Sequence, residues 1–336
     1  MRMDYSVDVS VIMATYNTEI PMLREAVDSI LNQTFTNFEF LIIDDGSIDE
    51  SVSYLKTLTD SRIRLIRNPE NLGITKSLNI GLREARGRYI ARMDADDVSL
   101  PERLQKEFDF MESHPDVIVC GSRIGTIDET GRVLSISPQR PHDMEDYRVR
   151  MLFQNPGPIH PTAFFNNEML QDNNITYNEE LIHAQDYGMW ETVCHYGTVY
   201  TLDDVLLYRR KHDGQISSAR RGVQIKCDKI TLKKILTELL GDVTDEEVDF
   251  HYTYSGGYFS DVVMNDDVAV WYDRLLQANK EKHIYNQQKL EKRILTIKKN
   301  LVRQTITPDM GVIEKTRIAM RYLPFFHALK TAFRPQ

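Results

Sequence analysis

A chain of 336 residues, 41% hydrophobic and 27% charged, has the length and apolar content for one large or two modest globular domains. Its net charge of −9 argues against a general nucleic-acid binder, no apolar run nears the ~20 residues of a membrane span, and no signal-peptide pattern opens the chain. Cys120, Cys194 and Cys227 are scattered without metal-ligand spacing, which reads as reduced thiols in a cytosolic protein, with Cys120 in the core.

In chain order, residues 9–13 are a near-continuous apolar run, typical of a strand covered on both faces. Thr15, Tyr16 and Asn17 follow, and then Leu23, Ala26, Val27, Ile30 and Leu31 recur at helical spacing. Residues 38–43 predict a second strand that ends in Asp44 and Asp45. Ser47 with Glu50 predicts a capping box, opening a helix with Val52 and Leu55 inward. Residues 62–66 alternate as an edge-like third strand. Asn71-Leu72-Gly73 then turns the chain, and Ile74, Leu78, Leu82 and Ala85 mark one helix face, stopped by Gly87. A fourth strand from Tyr89 runs into Asp94-Ala95-Asp96-Asp97, where Ser99, Pro101 and Glu102 predict the capped start of another helix. Leu104, Phe108 and Met111 continue that helix, and residues 117–120 are a further strand.

This repeated strand–helix alternation predicts an α/β fold with a doubly wound, mostly parallel sheet and right-handed crossovers. Residues 121–210 are less regular, with β-like runs at 132–136, 162–165, 198–202 and 205–209 and a helix near 187–196. Beyond about Arg221 the strands stop. An amphipathic helix is expected at 226–240, a turn and cap at 241–247, and one long charged helix at 271–299. The expected organisation is therefore an α/β domain over residues 1–220 and a helical C-terminal extension over 221–336. From Lys289 onward eleven Lys/Arg stand against three Asp/Glu. The basic and apolar mixture of residues 315–334 suits an anionic membrane surface or an ordinary docking helix equally well.

The chemistry concentrates at strand ends. Asp94, Asp96 and Asp97 fall within four positions at the C-terminal end of the fourth strand, the edge where open α/β sheets bind ligands. Carboxylates packed together repel one another, and a divalent cation relieves the repulsion, Mg²⁺ or Mn²⁺ suiting hard oxygen donors. Thr15-Tyr16-Asn17 and Asp44-Asp45 reach the same edge from the first and second strands. An aromatic with acceptor carboxylates suits a nucleotide: Tyr16 to stack on the base, Asp45 to accept from its N–H, Asp94 to hold ribose hydroxyls. The blander readings make Tyr16 packing and Asp45 a helix cap. Neither G-x-G-x-x-G after the first strand nor G-x-x-x-x-G-K-[ST] occurs, so a diphosphate held here needs a cation in place of a glycine cradle.

The segments VSVIMATYN, FEFLIIDDGS, NLGITKSLNIGLREARGRYIARMDADD and HAQDYGMW, in this order, resemble the family 2 inverting glycosyltransferases of the GT-A fold over roughly residues 7–215. The resemblance implies that Asp94-Ala95-Asp96 is the family's DxD, with Asp96 the principal metal ligand and Asp94 near ribose or metal. It implies that Thr15, Tyr16, Asp45 and Lys76 contact the nucleotide and that Asp186 is the catalytic base, with Gln185 standing where the family has Glu. Residues 208–212, with Gln215 and Ser217, resemble the family's closing loop, in which Arg209 reaches the diphosphate and His212 the metal. The implied activity is Mn²⁺- or Mg²⁺-dependent transfer of a sugar from a nucleoside diphosphate sugar, a UDP-sugar, to an acceptor hydroxyl. The implied acceptor is a glycan or lipid-linked sugar in surface polysaccharide synthesis, on the cytoplasmic side of the membrane.

From the residues alone, Asp186 fits a helix N-cap as well as a base. His212 fits a solvent-exposed loop, and His160 in Gly157-Pro158-Ile159-His160-Pro161 fits either an acceptor pocket or a structural turn. Three rival classes stand beside the transferase. A sugar-1-phosphate nucleotidyltransferase needs a Gly-rich basic loop where residues 14–17 stand. A glycoside hydrolase needs two carboxylates flanking the bond and leaves Tyr16 and Asp45 unexplained. A non-catalytic sugar-binding module leaves Asp96 and Asp186 unexplained.

Overall fold

The computed structural model describes residues 5–139, 142–212, 221–255, 262–307, 309–324 and 327. The chain divides into two compact units, Met1–His142 with Gly157–Asp228, and Asp143–Pro156 with Lys229–Gln336.

The apolar runs of the first unit become β1 (Val7–Thr15), β2 (Phe38–Asp44), β3 (Ile63–Arg67) and β4 (Gly87–Asp94). They lie parallel in the order β3-β2-β1-β4. β2 is buried at every position and β1 from Val9 onward, which explains why neither alternates in sequence. One face packs on α1 (Ile20–Leu31) through Leu23, Ala26, Val27 and Ile30, joined in a single core with Val9, Val11 and Met13. The other packs on α3 (Ile74–Glu84) at Gly81, where a Cβ would lie 2.4 Å from Ile12 Cγ2. The chain winds outward from β1 to β3 and then returns to β1's other edge as β4. Register pairs Thr15 with Asp44 and Ala14 with Asp94, so the end of β1 and the two acid-bearing ends of β2 and β4 meet at the topological switch point.

Beyond β4 the nine-stranded sheet becomes mixed. It contains β5 (Val98–Ser99), β6 (Val117–Ile127), β7 (Val133–Ile136), β8 (Phe164–Asn166) and β9 (Thr198–Arg210). β8 sits between β4 and β6, antiparallel to both, and β9 runs parallel to β6. The β-like runs at 198–202 and 205–209 are one strand, β9, whose register on β6 shifts near Ser122–Ile124. The helix expected near 187–196 is α7 (Gln185–Val193), preceded by α6 (Asn167–Asp172).

Two expected capping boxes do not form. α2 (Ser51–Thr57) starts later than Ser47, whose hydroxyl instead accepts from the Asn17 backbone N–H at 3.0 Å. Ser99 lies in β5, and its hydroxyl accepts from Arg103 Nη1 at 3.1 Å, while α4 (Arg103–Ser113) opens at Glu102 without a side-chain cap. In both places another partner took the serine that local pattern assigned to a helix end, thirty residues away for Ser47 and four for Ser99. Arg103 ties α4 to β4: it pairs with Glu107 at 3.1 Å, both side chains wholly buried, and donates to the Arg92 carbonyl at 2.7 Å.

The second unit is helical. Helix Arg221–Leu240 opens earlier than the expected 226, and the cap predicted at 241–247 is a capping box between Thr244 and Glu247. The single helix expected over 271–299 is two, Asp266–Lys282 and Gln287–Thr305. His283 takes left-handed φ 54°, Asn279 grips both backbone groups of Tyr285, and Asn286 caps the second helix. Helix α5 (Met144–Met151) belongs with this unit through the segment that follows it. Buried His251 donates from Nε2 to the Leu152 carbonyl at 2.7 Å and accepts at Nδ1 from Trp271 Nε1 at 2.9 Å.

Candidate active site

Asp94 ends β4, and one ligating oxygen each of Asp94, Asp96 and Asp97 lies within 4.8 Å of the others. Arg92 donates to both oxygens of Asp94, Nη1 at 2.9 Å. Withdrawal from water pushes the Asp94 carboxyl above the usual range; Arg92 opposes this and the Asp96 charge adds to it. Asp97 is 1% exposed. Its Oδ1 accepts from the Arg210 backbone N–H at 3.0 Å, and its Oδ2 is buried with no hydrogen-bond partner among the described residues. Burial, then Asp94 and Asp96, push this carboxyl well above the usual range. Convergent hard oxygens, one of them unpartnered and buried, fit a divalent cation such as Mg²⁺ or Mn²⁺. The sequence reading grouped Asp97 with the cluster but gave it no ligand role.

The end of β9 reaches the same cluster. His212 Nε2 lies 3.0 Å from Asp96 Oδ2. Arg210, which the sequence places in the 208–212 run without a role of its own, is buried, and its Nε donates to the Asp96 carbonyl at 3.2 Å while Nη1 reaches the Asp128 and Glu129 carbonyls. Arg209 is exposed, and its positive charge acts on Asp94. Gln215 and Ser217 lie outside the described residues.

On the other side of the switch point, the Thr15 carbonyl accepts from the Asp45 N–H at 2.8 Å. Tyr16 follows it with 44% of its surface exposed, high for an aromatic closing a buried strand. Asn17 and Ser47 zip the two strand-end loops together, Ile48 N–H donating to Asn17 Oδ1 at 2.9 Å. Buried Asp45 accepts from Asn68 Nδ2 (2.8 Å) and Leu72 N–H (2.9 Å) on one oxygen, and from Gly73 N–H (2.9 Å) on the other. Its partners belong to the 68–73 turn and not to α2. Lys76 is exposed in the first turn of α3, with no hydrogen bond or ion pair to these groups among the described residues.

Asp186 lies in the first turn of α7, with Ala184 rather than Asp186 at the N-cap, and its Oδ1 accepts from the Tyr187 N–H at 2.8 Å. His160 lies in a 3₁₀ turn, His160–Thr162, fastened to β4 by the Arg92 N–H donating to the Ala163 carbonyl at 2.8 Å. Its Nε2 is 2.8 Å from the Tyr177 hydroxyl, and its ring meets Trp190 of α7 edge-on at 6.1 Å. Burial, with Arg92 adding to it, holds this imidazole well below its usual range and therefore neutral. Burial likewise pushes the Tyr177 hydroxyl up, opposed by Arg92, with the charges of Asp186 and Asp94 adding to the rise. One buried hydroxyl thus senses both Asp186 and the strand-end Asp94, although 92 positions separate them in sequence. Tyr177 lies in an irregular loop and carried no sequence signal.

Comparison with known proteins bears on the family and the fold. The profile of "Glycosyl transferase family 2" matches residues 10–173. An uncharacterized glycosyltransferase of Haemophilus influenzae is 34% identical over 240 residues, 68% of this chain and 72% of that protein. The chain belongs to glycosyl transferase family 2.

Amylovoran biosynthesis glycosyltransferase AmsE of Erwinia amylovora is 30% identical to this family 2 glycosyltransferase over 224 residues, 65% of this chain and 82% of AmsE. The crystal structure of S. aureus TarS 1–349 in complex with UDP-GlcNAc superposes with a TM-score of 0.60 at 21% identity, covering 91% of this chain and 94% of that one. The likeness shows a shared GT-A-type fold, the α/β architecture with a C-terminal helical region expected from the sequence. No helix among the described residues is long and apolar enough to cross a membrane.

Proposed function

We propose that this family 2 glycosyltransferase moves a sugar from a nucleoside diphosphate sugar, a UDP-sugar, to an acceptor hydroxyl with inversion at the anomeric carbon. The observation that carries the reading is the meeting of exposed Tyr16, buried Asp45 and the three clustered carboxylates at one sheet edge, with α7, which carries Asp186, packed through Trp190 on the His160 turn fastened to β4. Thr15, Tyr16, Asp45 and Lys76 take the nucleoside end and Asp94 its ribose. Asp96, with His212 beside it, would hold Mn²⁺ or Mg²⁺, which would supply Lewis-acid neutralisation of the diphosphate. Arg209 adds a positive charge for the leaving group. Asp186 takes the proton from the acceptor hydroxyl while that oxygen attacks in line, opposite the departing diphosphate, a general-base contribution of roughly 10²–10⁴-fold.

TarS structures with UDP-GlcNAc and with UDP support a nucleotide-sugar donor. The name of AmsE supports a place in polysaccharide synthesis, on a glycan or lipid-linked sugar acceptor. Residues 1–220 form the transferase domain in this reading and 221–336 its helical extension. Exposed Val312, Ile313 and Met320 on a helix that also carries Lys315 and Arg317 support peripheral contact with the cytoplasmic face of a membrane. Incubation with UDP-sugars and Mn²⁺ tests the donor assignment: slow release of UDP is expected, and its absence across the common UDP-sugars would remove it.

A further inference from the structure

Arg92 takes no part in the chemistry above, yet it is a buried arginine beside the carboxylate cluster. It precedes Asp94 by two residues on β4, so both side chains leave the strand on the same side. Nη1 donates to Asp94 Oδ2 at 2.9 Å and Nη2 to Oδ1, a planar fork across the whole carboxylate. The backbone beneath the fork is fixed on both sides. The Arg92 N–H is held by the Ala163 carbonyl at 2.8 Å and the Arg92 carbonyl by Arg103 Nη2 at 2.7 Å.

Arg92 Nε, by contrast, is buried and has no hydrogen-bond partner among the described residues. Burying a donor without a partner costs stability, so maximal pairing does not account for this arginine. What it does secure is geometry, because a rigid guanidinium sets the plane of the carboxylate it grips. The grip also has a chemical consequence. With a positive charge across both oxygens, Asp94 offers little net charge to a divalent cation but keeps a lone pair on each oxygen for a hydroxyl donor. Asp97 Oδ2, buried and unpartnered, is the better-suited cation ligand.

We propose that Arg92 is a positioning residue of the donor site: its fork orients Asp94 toward the hydroxyls of the nucleotide and withholds it from the cation, which Asp96 and Asp97 grip. The inference rests on the nucleoside diphosphate sugar reading. Calorimetric titration of the full chain with UDP in MnCl₂ tests both. Arg92→Lys keeps the charge but loses the fork, and should weaken UDP binding about 10–100-fold, as removal of an orienting partner does. Binding of Mn²⁺ alone, read from the electron paramagnetic resonance of the free ion, should not change. In an Asp94→Asn background, Arg92→Met should cost UDP binding nothing further, since the pair acts as a unit. That double variant leaves no orphaned charge, so the comparison stays readable where Arg92→Lys folds poorly. An Arg92→Lys protein that binds UDP like the wild type, or losses that multiply in the double variant, overturns the inference alone. A wild-type chain that takes up no UDP with Mn²⁺ present overturns the donor reading and this inference with it.

Discussion

Two buried polar clusters, one in each unit, are built in opposite ways. In the helical unit, His251 spends both ring nitrogens, one on the Leu152 carbonyl and one on Trp271, and no charged group drives its shift. The sheet unit instead crowds three carboxylates within 4.8 Å, leaves Asp97 Oδ2 without a hydrogen-bond partner among the described residues, and lays the Arg92 guanidinium across both oxygens of Asp94. Satisfied burial holds a fold together, whereas conflicting burial at a sheet edge marks where a ligand completes the arrangement. The contrast separates residues whose loss unfolds the chain from those whose loss only stops its chemistry.

The sharpest way to break that contrast is Asp186→Asn. Transfer should fall roughly 10²–10⁴-fold while UDP binding and melting temperature stay put. Retained turnover would remove Asp186 as the base. Nearly as large, but on stability, is Arg103→Ala. It strips the wholly buried Glu107 of its partner and should cost about 3–5 kcal/mol in chemical denaturation.

Acid should act on the helical unit. Burial depresses the His251 imidazole to about 4, against 6.5 for the unperturbed group. Because the folded pKa is the lower one, the stabilisation is complete above about 6.5 and drains away as pH falls toward about 4. Over that window roughly 3 kcal/mol is lost at 1.36 kcal/mol per unit. The two tryptophans, Trp190 and Trp271, lie one in each unit, so Trp190→Phe leaves a fluorescence reporter of the helical unit alone. An acid slope that survives in His251→Gln would assign it to other groups. The smallest effect is expected at Asp97→Asn, which should weaken Mn²⁺ binding about 10–100-fold and raise the melting temperature of the metal-free protein, since it removes one of three repelling carboxylates. A lower melting temperature would make Asp97 a structural residue.

Much of the first unit was legible before any coordinates. Apolar runs and helical spacing are local, and β1 to β4, α1 and α3 fall where residues 9–13, 38–43, 62–66 and 89 onward placed them. The positions of Asp45, Asp94 and Tyr16 at strand ends follow from the same pattern, because a strand-to-helix connection in a parallel sheet opens on one edge. Asp186 could be named only through the resemblance, since its own neighbourhood reads equally well as a helix start.

Partnership across the chain was decided by tertiary structure alone. Ser47 carries the local signature of a cap and was claimed by Asn17, thirty residues away. The stretch 143–156 groups with helices that begin more than seventy residues later. Arg210 reaches the Asp96 carbonyl, and Tyr177 meets His160, from strands and loops that share no periodicity with them. Backbone periodicity reports which face of an element is dry, and composition alone determined that much here. Which charge lies against which is a long-range matter, settled only when the sheet's strand order brings distant ends to one edge.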